Sequence, residues 1–480
     1  MKDFNKNDRR GFLKHSGLAG LGIVLGSLSV RGNPITGSDA TNSIASKSFQ
    51  RFNMSGYAAP PMKKVRVGFI GLGNRGPTHL KNVSYMEGVE IKALCDARAE
   101  RTEAAKNMLK GTNHNPELYD GNEDIWKEMC RRDDLDLIYI ATPWDTHTPM
   151  AVYAMEQGKH VAIEVPAATS LEECWQLVDT SERTKKHCVI LENCCYDFFE
   201  LLTLNMARKG FFGDIIHGEG AYIHSLAENI FSKTKNYKNY RLRENTKHNG
   251  NLYPTHGLGP ICQIMNINRG DRMDYMTSMS SDDFMMGKMA EQLAESDPFY
   301  DAFTGQKYRG NMNTSVIKTH KGRTIMLQHD VTSPRVYSRI HLVSGTKGMA
   351  RKYPLPGKIA LGHEGWLSEE KMKELEEKYS PDIVKLVGKS AKEVGGHGGM
   401  DFLMDWRLID CIRNGHAVDM DVYDAASWSC IFPLSEWSVK NRSSSIDVPD
   451  FTRGSWISNA PVDLALKNGV TTNFTITGKP

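Results

Sequence analysis

Residues 65–76 read V-R-V-G-F-I-G-L-G-N-R-G. Val65, Val67, Phe69 and Ile70 make the apolar run of a buried parallel strand. The run leads straight into the turn Gly71-x-Gly73-x-x-Gly76. In such a turn the first glycine allows the tight bend and the second lets the backbone approach a pyrophosphate. The third lets the following helix pack on the strand, with its N-terminal N–H groups aimed at the phosphates. The motif alone is weak, and its surroundings strengthen it. V-E-I-K-A-L at residues 89–94 reads as a second strand, and Asp96 lies 25 residues after Gly71. That is slightly beyond the usual spacing for an acid that accepts ribose hydroxyls. The acid favours NAD over NADP, and Arg98, two residues on, keeps NADP open.

Working outward, the β-α-β alternation continues. Strands are expected at residues 136–141, 160–163 and 188–191, with helices over 79–85, 98–109, 149–157 and 171–185. Their pattern is an α/β Rossmann domain, a doubly wound parallel sheet, over residues 63–193. Ligands sit beyond the carboxyl ends of such strands, which here carry Gly71, Asp96, Thr142, Glu164 and Glu192-Asn193. After residue 193 the character changes. Candidate strands at 215–224, 275–279, 315–319, 324–330 and 339–343 predict an α+β domain over residues 194–455 with an open, mostly antiparallel sheet and helices on one face. Residues 282–308 read as an insertion. Ser368 is an N-cap candidate for a charged, exposed helix. Two helices at 401–413 and 422–439 are expected to pack back on the first domain. Residues 456–480 read as a C-terminal tail.

A chain of 480 residues with 40% hydrophobic and 24% charged residues is of ordinary globular composition. The net charge of +3 contains no long basic tract, which disfavours nucleic acid as a partner. Asp8-Arg9-Arg10-Gly11-Phe12-Leu13-Lys14, followed by a Gly-rich apolar stretch at residues 18–30, resembles a twin-arginine signal peptide. The expectation is a leader over residues 1–31, a linker or arm over 32–62, and export to the periplasm or beyond by the twin-arginine machinery. That route carries folded proteins, which suits one loaded with a nucleotide in the cytoplasm. Nine cysteines show no disulfide-framework spacing, and no C-x-x-C pair or H-E-x-x-H suggests a metal. Buried thiols and no metal are expected.

Thr142-Pro143-Trp144-Asp145-Thr146-His147 and Glu164-Val165-Pro166 resemble two motifs of the glucose–fructose oxidoreductase/inositol dehydrogenase family, T-P-x-x-x-H and E-K-P. The catalytic lysine of the second motif is replaced by Val165. The helix that carries an Asp and a His in simple sugar dehydrogenases corresponds to N-L-Y-P-T-H-G-L-G-P at residues 251–260, with Thr255 and Gly259 at those places. These departures argue against an ordinary dehydrogenase. Together with W-D-T-H, E-V-P and G-G-H-G-G-M-D, they resemble glycoside hydrolase family 109 over about residues 63 to 455.

That resemblance implies hydrolysis of terminal α-linked N-acetylgalactosamine with retention, NAD being reduced and reoxidised in each cycle. It assigns cofactor contacts to Asn74, Arg75, Asp96, Trp144, Asp145, Thr146, His147, Glu164, Val165, Asn193 and Tyr253, beside the turn glycines Gly71, Gly73 and Gly76. It assigns substrate contacts to Tyr222, Arg241, Tyr253, Pro254, Thr255, His256 and Tyr337. His256 is the expected general acid/base, its ordinary pKa (~6.5) suiting proton transfer near neutrality, and Tyr337 the second proton-transfer or positioning group. The implied partners are a glycan with terminal N-acetylgalactosamine and a second copy of the chain, paired through the open sheet. The rival readings are an exported NAD(P)-dependent sugar oxidoreductase with net cofactor turnover, and a sugar sensor that keeps a structural dinucleotide. The glycine-rich loop around His397 reads equally as a mobile cover or a plain linker.

Overall fold

The computed structural model describes residues 49–464, 466 and 472–476. The expected leader and the first part of the arm lie outside them. Residues 50–62 of the arm run over the body: Met54 and Ala59 are buried, and the Arg51 N–H donates to Glu182 at 2.9 Å.

β1 (Val65–Ile70), β2 (Val89–Cys95), β3 (Glu117–Tyr119), β4 (Leu137–Ile140), β5 (His160–Ile163) and β6 (Cys188–Ile190) form one sheet in the order β3-β2-β1-β4-β5-β6. Every pairing is parallel. The order reverses on either side of β1, so the crevice opens beyond β1 and β4. β4 and β5 are buried along their whole length, because helices cover both faces. The first crossover helix, Gly76–Ser84, begins inside the glycine turn. The helix Trp144–Glu156 starts five residues before the expected 149 because Pro143 caps it, leaving Pro149 exposed inside it.

The second sheet has eight strands: β7 (Ile215–Ile223), β8 (Met273–Ser280), β9 (Asn313–Thr319), β10 (Thr324–Asp330), β11 (Leu342–Gly345), β12 (Gly348–Arg351), β13 (Lys358–Leu361) and β14 (Ile446–Asp447). Their order is β13-β12-β11-β7-β10-β9-β8-β14, antiparallel except for β7 with β10. The helices Thr255–Ile264 and Ile431–Lys440 lie on β7 and β8, while Ile216, Tyr275, Met279 and Val316 are left exposed. The strand expected at 339–343 begins only at Leu342. Ile340 and His341 take positive φ values of 58° and 47° and turn the chain, while Arg339 bonds the buried Glu200. The insertion at 282–308 carries the helix Met286–Ala294 and a short 3-10 turn, Pro298–Phe303. Ser368 caps the helix Glu369–Tyr379 by accepting from the Lys371 N–H.

The expected helix at 422–439 is two, Val422–Ser429 and Ile431–Lys440. Pro433 has no N–H to continue the first ladder. Val422–Ser429 packs on β6 and on the helix Leu171–Thr184, whereas Met400–Asn414 packs on Gly76–Ser84. Of the tail, residues 472–476 lie on the first sheet's side of the molecule, where Phe474 bridges to Met86 and Thr472 accepts from the Trp406 indole. All nine cysteines are free and buried.

Candidate active site

The glycine turn closes on itself by backbone contact. Gly71 has a φ of +89°, and a Cβ on Gly76 would stand 2.0 Å from the Gly71 carbonyl oxygen. A Cβ on Gly73 would meet only Arg98, at 3.9 Å, so this glycine keeps an open backbone face toward the cleft. Asp96 Oδ2 accepts the Leu72 N–H at 2.9 Å and Oδ1 accepts from Arg98. The acid thus fixes the turn and stands at the end of β2, where a ribose would lie.

Beyond these strand ends lies a cleft of about 1110 Å³, part of it open to solvent, whose walls include Gly71, Asn74, Asp96, Trp144, Val165 and Tyr253. The turn's open backbone, the acid and this space fit a dinucleotide. A strap from the second half crosses it at residues 232–240. The Asn74 amide donates to the Lys235 carbonyl at 2.9 Å, the Arg98 guanidinium lies 5.0 Å over the Tyr237 ring, and the Tyr237 hydroxyl donates to Glu123 at 2.6 Å.

Arg75, His147 and Glu164 line the cleft, and these three and Asn193 are each also bonded within the protein. Arg75 turns to Glu164 at 2.8 Å and to Asp401 at 3.1 and 3.2 Å. Glu164 also accepts from His79 at 2.9 Å, and His79 contacts Asp405 at 2.9 Å on its other nitrogen. Burial disfavours the Glu164 charge, but Arg75 and His79 prevail and hold its pKa far below the carboxylate range. His147 places Nδ1 on the Pro166 carbonyl and Nε2 on that of Thr142, both at 2.8 Å, so its ring lines the cleft with neither nitrogen free. Burial pushes its pKa down, against the pull of the two carbonyls. Asn193 sits behind the cleft and donates to Asp401 at 2.6 Å. Trp144 and Thr146 line the cleft, and Asp145 is exposed.

The expected substrate residues form one cluster. Gly220 of β7 and Gly257 of the helix Thr255–Ile264 touch backbone to backbone, and a Cβ on Gly220 would stand 2.1 Å from the Gly257 carbonyl oxygen. That approach sets the helix start, Pro254-Thr255-His256, against the strand. The His256 ring lies edge-on to Tyr222 at 5.0 Å and to Tyr253 at 4.9 Å. Arg241 covers Trp144, Tyr240 and Tyr253 at 5.1–5.6 Å and has no carboxylate partner among the described residues. Tyr337 joins through His224, whose ring is 5.1 Å away, and accepts from Arg339 at 2.9 Å.

Three residues of this site had no assigned role in the sequence. Glu192, fully buried, meets His256 Nδ1 at 2.7 and 3.0 Å. Burial works against its charge, yet His256 holds the pKa below the ordinary value. An ionised carboxylate only accepts, so Nδ1 carries the hydrogen, and in the neutral ring the lone pair is on Nε2. The Cys194 thiol completes a set of three donors within 4.8 Å, but two of them already bond each other and burial drives the thiol pKa up. His224 lies between Tyr222 and Tyr337. Asp401 gathers Arg75, Asn193 and His397, the last at 2.8 Å, so the glycine-rich loop is tied to the site. Glu192 ends a strand and was visible for that reason, whereas His224 and Asp401 carry no local signal.

A family described as "Glycosyl hydrolase 109, C-terminal domain" matches residues 196–458, and "Oxidoreductase family, NAD-binding Rossmann fold" matches residues 65–192. The chain belongs to glycosyl hydrolase family 109. It is 45% identical over 465 residues to a protein of Shewanella oneidensis named alpha-N-acetylgalactosaminidase, covering 95% of this chain and 98% of that one. It is 51% identical over 408 residues to one of the same name from Bacteroides fragilis, with 84% and 95% covered. An NAD binding oxidoreductase from Klebsiella pneumoniae shares the fold, with a TM-score of 0.62 at 16% identity over 81% of this chain and all of that one. The enzyme is therefore a glycoside hydrolase whose first domain is of the NAD-binding kind.

Proposed function

We propose that this family 109 enzyme removes terminal α-linked N-acetylgalactosamine from glycans with retention, by transient oxidation of the sugar at C3. The observation that carries the reading is the pairing of a dinucleotide cleft with a substrate cluster that has no pair of free carboxylates. Glycosidases of the common kind need two such groups flanking the scissile bond. Here Glu164 is spent on Arg75 and His79, and Glu192 on His256.

NAD, held by the Gly71–Gly76 turn, Asp96 and the strap, would supply a reversible hydride acceptor at C3. With a ketone at C3 the C2 proton becomes acidic, and His256 Nε2 takes it. Glu192 keeps the imidazole in the tautomer with that lone pair and stabilises the cation that forms. Arg241 offers guanidinium donors to the uncharged oxygens of the sugar and its acetamido group, and Tyr253 and Trp144 give it apolar walls. Tyr337, its hydroxyl accepting from Arg339, would be the second proton-transfer or positioning group, with the departing aglycone oxygen as the group it serves. Water then adds at C1 and the steps reverse, leaving no net redox change. The same reading includes export by the twin-arginine route, on the strength of the Arg9-Arg10 leader.

The test is purified protein, with no NAD added, given p-nitrophenyl α-N-acetylgalactosaminide in deuterated water. Release of p-nitrophenol with deuterium at C2 of the product is expected. Release without deuterium leaves a glycosidase with either a shielded proton path or direct displacement. No release, with NADH accumulating on a free sugar once NAD⁺ is supplied, makes the protein a dehydrogenase.

A further inference from the structure

Oxidising an alcohol to a ketone releases the hydroxyl proton as well as the hydride, so the reading above requires a proton acceptor near C3. The strand ends offer none. Val165 does not titrate, Glu164 is bonded to Arg75 and His79, and both His147 nitrogens face carbonyls. His256 has one free nitrogen, which serves C2.

One group nearby is unused. His224 follows β7, anchored by its N–H to the Asp330 carbonyl at 2.9 Å. Its Nδ1 lies 3.2 Å from the Tyr222 hydroxyl, and its ring stands edge-on to Tyr337 at 5.1 Å. Tyr222 in turn lies 5.0 Å from Tyr253, which lines the dinucleotide cleft. We propose that Tyr222 and His224 form a two-step relay that accepts the sugar's C3 hydroxyl proton, with His224 as its terminal base.

The groups facing His224 fit that task. Burial lowers its pKa, and the neighbouring His256 and His397 lower it further, while the other two groups in contact, Tyr222 and Tyr337, are phenols. His224 is thus neutral near pH 7, with a lone pair for the phenolic hydrogen. Burial raises the Tyr222 pKa, against the pull of Arg241, so the phenol passes a proton on and does not rest as a phenolate. The step balances. The C3 hydroxyl proton moves to the Tyr222 oxygen as the Tyr222 proton moves to His224 Nδ1. The carbon's electron pair leaves as hydride to the nicotinamide, and reduction of the ketone reverses each transfer. In this scheme Tyr222 is the catalytic residue and His224 acts through it.

The inference rests on the oxidation proposed above, and the experiment separates the two. Nucleotide-loaded enzyme is mixed rapidly with substrate, and nicotinamide reduction is followed at 340 nm from pH 5.5 to 9, with C3-protiated and C3-deuterated sugar. Wild type is expected to show an isotope effect and a rate that rises with pH as a histidine loses its proton. His224→Phe, which fills the same ring space, should lower that rate about 10²-fold and flatten the rise. Exchange of C2 hydrogen in a 3-keto sugar supplied directly, the work of His256, should stay within about twofold. His224→Gln accepts the phenolic hydrogen bond but no proton. It should share the loss while substrate affinity holds, and it serves as well should the Phe variant fold poorly by circular dichroism. A Gln variant with wild-type rate would reduce His224 to holding the phenol in place, and an unchanged rate and pH rise in the Phe variant would overturn the relay. If wild type shows neither reduction nor isotope effect, the oxidation itself falls, and the relay with it.

Discussion

The Glu192 carboxylate is sealed from water, and the group it touches, His256 Nδ1, is an imidazole nitrogen at 2.7 Å. A glutamine there would still accept the Cys194 N–H with its oxygen, as Glu192 does at 3.0 Å. That same oxygen is the one 2.7 Å from Nδ1, so the ring keeps its tautomer. What is lost is the negative charge that stabilises the imidazolium when His256 takes a proton. Glu192→Gln is therefore expected to lower kcat about 10²- to 10⁴-fold with KM nearly unchanged, because no substrate contact is lost. Steady-state kinetics on the chromogenic galactosaminide check this. A large rise in KM at constant kcat would show that Glu192 shapes the pocket and does not act through its charge beside the ring.

At the scale of elements, two glycines hold the helix of His256 against β7. A Cβ on Gly257 would stand 2.3 Å from the Ala221 nitrogen, and the neighbouring contacts are also backbone, which cannot rotate away. Gly257→Ala must lift the helix start by about 1 Å, a displacement that costs catalysis roughly 10²-fold. The variant should fold, bind nucleotide and turn over slowly; turnover at the wild-type rate would refute this account of the helix. The strap at residues 232–240 makes a different prediction. Tyr237→Ala removes the ring under Arg98 and the bond to Glu123, so nucleotide retained through desalting should fall while kcat with added NAD recovers. Equal retention in both proteins would show that the strap does not hold the cofactor. These elements differ in how far the sequence announces them. β1 and its turn are local, six apolar-rich residues and three glycines, and were readable without a partner. The hairpin of β12 and β13 was missed because two four-residue strands, Gly348–Arg351 and Lys358–Leu361, are too short for alternation to stand out. The strap has no local signal, since only the fold brings Lys235 to Asn74, 161 positions away.

Over the whole molecule, the two halves are joined by an ionic chain that is exposed at His397 and buried at Asp401, Glu164, His79 and Asp405. It runs from Asn193 and His397 through Asp401 to Arg75, then through Glu164 to His79 and Asp405. None of this was legible. Asp401 and Asp405 lie one helical turn apart on the helix expected to pack on the first domain, and both are fully buried, but nothing local in the sequence shows which partners they meet. His79 is the member that a pH titration can isolate. Both of its nitrogens face carboxylates at 2.9 Å, so both donate and the ring is an imidazolium. Burial opposes that charge, but Asp405 and Glu164 outweigh it and raise the pKa to about 9. In the unfolded chain the value returns to ~6.5. The folded state therefore binds the proton more tightly, and the stability this adds is complete below about pH 6.5 and is lost as pH rises through about 9. Thermal melts of wild type and His79→Asn should differ most at pH 6, with the gap narrowing steadily to pH 10. Other groups that titrate in this range act on both proteins and cancel in the difference. A gap independent of pH would mean that His79 holds the halves together as a neutral ring, by packing alone.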